Sequence, residues 1–86
     1  MELPHSQLNI SHLKMICTIN GCETVKEAAE KLFITQPALT NRIREAERRL
    51  QTQLFVRRGR KLIMTTAGKR LLHSATKILE ELARAE

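Results

Sequence analysis

Three observations predict a small, mainly α domain with one short β-hairpin. A helical pattern runs from Thr35 to Leu50 with a single apolar stripe, two β-compatible runs flank Gly59, and a long apolar seam follows Thr66. The chain's 86 residues suffice for one domain with a small core, and are too few for a roomy active site with its own supporting shell. Phe33 and Phe55 are the only aromatic residues, so the core must be built mainly of Leu, Ile, Val and Ala, which suits packed helices.

Residues 1–8 contain Pro4 and no periodicity, and are expected to form a flexible N-terminus. Asn9 is placed to cap a first helix over Ile10 to Asn20, whose inner face is Leu13, Ile16, Cys17 and Asn20, widened by Ile19, with Gly21 closing it. Thr24-Val25-Lys26-Glu27 has the form of a capping box: the threonine oxygen would accept the N–H of Glu27, whose carboxylate would reach back to the cap. The second helix, about Val25 to Leu32, turns a face of Val25, Ala28, Ala29 and Leu32 inward, and the two small alanines permit a close helix crossing. Phe33 and Ile34 leave room only for a sharp corner before Thr35.

The third helix carries the stripe Leu39, Ile43, Ala46 and Leu50 at steps of four, three and four. The opposite side presents Pro37, Asn41, Arg44 and Arg48, with Gln36 and Thr40 beside them. Thr35 stands where an N-cap belongs, and Pro37 falls in the first turn, where its missing N–H costs nothing. Past Leu50, the runs Leu54 to Arg58 and Lys61 to Thr65 form a hairpin around Gly59, with Phe55, Leu62 and Met64 inward and Arg57, Arg58, Arg60 and Lys61 crowding the loop. Thr65 or Thr66 begins a last helix reaching Ala85. Its seam of Leu72, Ala75, Leu79 and Leu82 needs a partner, because an isolated helix of that length is marginal in water. Its first turns can cover the domain's own core, and the later ones are expected to pair with a second copy. The whole is a winged helix-turn-helix over residues 9–65 followed by a linker and dimerisation helix over residues 66–86.

The charge supports a polyanionic partner. The net charge is +6, yet ten basic and two acidic residues fall between Arg42 and Arg70, a local +8 against −2 for the remainder. A short helix face of amide, hydroxyl and guanidinium groups matches the requirements of a major groove. Gln and Asn can pair with base edges, and Arg with guanine or phosphate. A basic wing beside it would lie on phosphates or enter a minor groove. Candidates for phosphate contact are Arg42, Arg44, Arg48, Arg49, Arg57, Arg58, Arg60 and Lys61, although Arg42 and Arg49 sit beside the core stripe.

Other chemistry finds little support. Cys17 and Cys22 show no metal-ligand spacing with each other or with His5, His12 and His73, so neither metal nor cofactor is expected. Paired carboxylates, a nucleophile with its base and a glycine-rich phosphate loop are absent, which argues against an enzyme. No signal-peptide pattern and no apolar run of membrane-spanning length is present, which points to a cytoplasmic protein without membrane attachment. A second function class stays open: a protein-interaction module using the C-terminal amphipathic helix.

The series AAEKL at Ala28 to Leu32, TQPALT at Thr35 to Thr40, LFVR at Leu54 to Arg57 and TTAG at Thr65 to Gly68 resembles the N-terminal domain of the LysR-type transcriptional regulators. The resemblance covers about Leu13 to Leu82. It implies a winged helix-turn-helix, a homodimer formed through the long helix, and a bacterial repressor or activator acting on an inverted-repeat operator in double-stranded DNA. It also implies that an effector-binding domain follows in a longer parent chain. Matched to the motif, Gln36, Pro37, Thr40 and Asn41 are the base-contacting positions, Arg60 is the minor-groove position of the wing, and Thr35 is expected near a backbone phosphate. Some positions depart from the pattern. Glu23 and Thr24 replace the usual glycine and serine, Ala46 replaces a larger apolar residue, Gln51 replaces a helix-ending glycine, and Asn41 replaces a commonly basic residue.

Overall fold

A computed structural model describes residues 7–86; the segment 1–6 of the expected flexible N-terminus lies outside them. Four helices and one hairpin follow in the order α1 (Ile10–Asn20), α2 (Val25–Lys31), α3 (Gln36–Leu50), β1 (Phe55–Arg58), β2 (Lys61–Met64) and α4 (Thr66–Ala85). The architecture is the winged helix-turn-helix expected from the sequence.

Local chemistry explains most of the boundaries. Asn9 caps α1 through a reciprocal pair: its side chain accepts the His12 N–H at 3.1 Å, and His12 Nδ1 accepts the Asn9 N–H at 3.1 Å. Gly21 closes α1 with φ −85°, a conformation open to any residue, so its position matches expectation while its glycine freedom goes unused. At α2, Thr24 Oγ1 accepts the Glu27 N–H at 3.1 Å as a capping box requires. The return half is shifted: the Glu27 carboxylate takes the N–H of Glu23, not that of the cap.

The corner between α2 and α3 is a Schellman closure. The Phe33 N–H donates to the Glu30 carbonyl and the Ile34 N–H to the Ala29 carbonyl, with Phe33 at φ 58°. Ile34 folds back onto the core, whereas Phe33 stands 94% exposed. The end of α3 repeats the device with Gln51 at φ 51°, so the site does demand the left-handed backbone that glycine would supply more cheaply. In the hairpin, β1 and β2 pair antiparallel with Phe55 opposite Met64 and Arg57 opposite Leu62. Of the two turn residues only Gly59 has a positive φ, the signature of a type II′ turn.

The core gathers Met15, Ile16 and Ile19 of α1, Val25, Ala28 and Ala29 of α2, Leu39, Ile43 and Ala46 of α3, and Leu54 and Phe55 at the start of the wing. Leu8 packs against it and the Gln7 carbonyl accepts from Arg49, so these two residues of the expected loose lead-in are engaged. α4 lies along α1, with Thr76 Oγ1 3.8 Å from Cys17 Sγ. Ala75 is fully buried there within the single chain. Leu72 also packs on the core, leaving Ile78, 48% exposed, Leu82, 40% exposed, and half-buried Leu79 as the open part of the seam.

Both cysteines are free, and burial raises the Cys22 thiol above its ordinary value, partly opposed by Lys31. Among the described residues no cluster of His, Cys, Asp and Glu could hold a metal, and no helix is long and apolar enough to cross a membrane.

Candidate nucleic-acid interface

The start of α3 is built for rigidity. Thr35 adopts an extended backbone and its Oγ1 accepts the Ala38 N–H at 3.2 Å, Pro37 sets the first turn, and Leu39, Ile43 and Ala46 are buried beneath. With one side fixed on the core, Gln36, Pro37, Asn41, Arg44 and Arg48 are exposed on the other and Thr40 is half-buried at the flank. The polar face read from the sequence is therefore a real surface.

The hairpin turns this face into one wall of a groove. Gln36, Pro37, Thr40, Asn41 and Arg44 line it from α3 and Arg57 from β1, around an open volume of about 500 Å³. Arg57 is held in place: its Nε donates to the Gly59 carbonyl at 3.0 Å, which leaves the outer guanidinium nitrogens free to meet a ligand. Gln36 and Arg57 also line an adjoining groove that contains Arg60. Six of the nine candidate residues for DNA contact thus share one groove, and Arg60 lies in the next. Thr35 caps the helix behind them. Arg58 lines neither groove, because it pairs across from Lys61 and strand alternation puts it on the opposite face of the hairpin from Arg57.

Two backbone anchors fix the wing against the helices. The Val25 N–H at the start of α2 donates to the Arg60 carbonyl at 2.9 Å. Glu47, near the end of α3, accepts the N–H groups of Leu54 and Phe55 at 2.7 and 3.2 Å through Oε2. The sequence reading missed Glu47, although a signal was present. A carboxylate in the last turn of a helix opposes the dipole and needs donors from elsewhere.

Charge is divided between the two sides of α3. Arg49 pairs with Glu45 at 3.2 Å and donates to the Gln7 carbonyl, so its charge is partly compensated on the side of α3 away from the reading face. Glu45 Oε1 also lies 3.3 Å from His12 Nε2; because His12 Nδ1 already accepts from Asn9, Nε2 carries the hydrogen and donates. Among the described residues, Arg42, Arg44, Arg48, Arg57, Arg58, Arg60 and Lys61 have no acidic partner within ion-pair distance. A concave, uncompensated cationic surface beside a rigid amide and hydroxyl face can hold a polyanion and read its edges.

The family model described as "Bacterial regulatory helix-turn-helix protein, lysR family" matches residues 10–69. Among curated proteins, the HTH-type transcriptional regulator YofA of Bacillus velezensis is 42% identical over 74 residues, 86% of this chain and 26% of that protein. The HTH-type regulator YbhD of Escherichia coli is 42% identical over 72 residues, 84% of this chain and 23% of its own length. The chain therefore spans about a quarter of the length of these relatives. Among solved structures, a complex of the CbnR DBD with DNA superposes with a TM-score of 0.83 at 28% identity, covering 91% of this chain and 90% of that one. The BenM DBD bound to benA site 1 DNA gives 0.82 at 28% identity, covering 91% of each chain.

Proposed function

Because the chain belongs to the lysR family of bacterial regulatory helix-turn-helix proteins and carries its DNA-binding domain, we propose that it reads a specific double-stranded operator as a homodimer. The matched relatives are transcriptional regulators, not enzymes. In this reading α3 enters the major groove, where Gln36, Pro37, Thr40 and Asn41 meet base edges and Arg44 the backbone. Arg57 and Arg58 serve phosphates, Arg60 reaches toward the minor groove, and Thr35 sits by a backbone phosphate. Two-fold symmetry asks for an inverted-repeat site. The seam of Leu72, Ala75, Leu79 and Leu82 is the dimerisation face, presented to the second copy through Leu79 and Leu82 with Ile78 beside them, and residues 66–86 act as linker and dimerisation helix to the reading domain of residues 9–65. The parent protein is a cytoplasmic bacterial regulator with an effector-binding domain.

The observation that carries this reading is the groove shared by Gln36, Asn41, Arg44 and Arg57, which joins base-reading groups to unpaired cations on a preformed surface. Footprinting the chain on the upstream region of its own genome, with affinity measured across a salt series, tests it. The expected result is one or more protected inverted repeats, with log affinity falling linearly as log salt rises. Binding that is indifferent to both salt and sequence would overturn the reading and leave a protein-interaction module through α4.

A further inference from the structure

Resting on that reading, we infer that Lys26, on the second helix, joins Arg57 in a seat for a phosphate of the DNA backbone outside α3, beside the point where Arg60 turns to the minor groove. The groove next to the reading face is lined by Thr24, Val25, Lys26, Gln36, Arg57 and Arg60 around about 470 Å³. Three of the six side chains are cationic, none is acidic, and they come from two separate parts of the fold, α2 and the wing. The hydrogen bond from the Val25 N–H to the Arg60 carbonyl at 2.9 Å ties those parts together immediately beside Lys26.

The neighbouring acid is engaged elsewhere. Glu27 Oε2 accepts the Glu23 N–H and Oε1 lies 3.6 Å from Lys31, whereas Lys26, Arg57 and Arg60 have no ion-pair partner among the described residues. Like charges gathered without a counter-ion around a concavity repel one another until an anion enters. Gln36 and Arg57 line this groove and the reading groove alike, so the two form one trough. A strand whose bases face Gln36 and Asn41 runs its backbone over Arg57 to Lys26. Lysine there acts as a flexible point charge and adds affinity without discriminating between bases.

The test compares the wild-type chain, Lys26→Gln, and Lys14→Gln as an exposed control on α1, each titrated with the footprinted operator duplex and an unrelated duplex from low to moderate salt. Circular dichroism confirms that the variants fold alike. The seat predicts that Lys26→Gln weakens binding to both duplexes by the same factor and makes the slope of log affinity against log salt shallower by about 1, with Lys14→Gln unchanged. An unchanged slope for Lys26→Gln alongside salt-dependent wild-type binding removes the seat and leaves the functional reading standing. Loss on the operator alone makes Lys26 a base reader and also refutes the seat. Wild-type binding that ignores salt removes both.

Discussion

Glu47 Oε2 accepts the buried N–H of Leu54 at 2.7 Å, and through this bond α3 holds the root of the wing. Removing the carboxylate leaves the Leu54 and Phe55 donors unpaired, an arrangement that costs more than the bonds themselves contribute. Glu47→Ala is expected to lower stability by roughly 2 kcal/mol in urea unfolding. Glu47→Gln, which keeps one acceptor oxygen, should lose less, and duplex affinity should fall in the same order because the placement of Arg57 depends on the root.

Gly68 offers a test in which two effects oppose each other. An ordinary helical Gly→Ala change gains up to about 1 kcal/mol of helix propensity. Here a Cβ would overlap the Leu54 carbonyl oxygen, a backbone atom that cannot step aside. Gly68→Ala is expected to destabilise by about 1–3 kcal/mol despite the propensity gain. Thermal unfolding reads the sign directly, and a raised midpoint would show that α4 can shift away from the Leu54 backbone.

These two residues mark what the sequence could and could not disclose. The apolar stripes of α1, α3 and α4, the caps at Asn9, Thr24, Thr35 and Thr65 and the turn at Gly59 all act within a few residues, so periodicity and turn chemistry located them closely. Glu47 to Leu54 and Gly68 to Leu54 are contacts between elements, and no local pattern encodes them. The same limit applies to α4. Its seam shows which side is apolar, but only the packing against α1 shows that Ala75 is buried inside the chain while Ile78 and Leu82 remain open. In the site, Gln36 to Arg44 followed from helical rotation. Arg57 facing the groove while Arg58 turns away depended on where β1 begins, at Phe55.

Two helix ends adopt left-handed backbone at residues with side chains, Phe33 and Gln51. The strain at each is on the order of 1 kcal/mol, and glycine would relieve it. Gln51→Gly is expected to raise stability by up to about that amount, and Phe33→Gly likewise, since its exposed ring packs on nothing that it would lose. Chemical denaturation of the single and double variants should show additive gains, because the sites lie at opposite ends of α3.

Asn41 and Arg57 line the same groove and should fail differently. Asn41→Ala is expected to narrow the gap between operator and unrelated duplex, at about 1–3 kcal/mol of discrimination for a bidentate contact. Arg57→Ala should weaken both duplexes together and flatten the salt slope. Competition titrations with the two duplexes separate the outcomes, and equal loss of selectivity in both variants would contradict the division of labour between base and backbone.

The seating of Ala75 against α1 turns the distal part of α4 into a lever arm. α1 in turn touches α3 where His12 meets Glu45, so one intermediate helix joins the buried stretch of α4 to the reading face. In the proposed pair, contacts made by Leu82 therefore bear on the reading face only by way of α4 and α1.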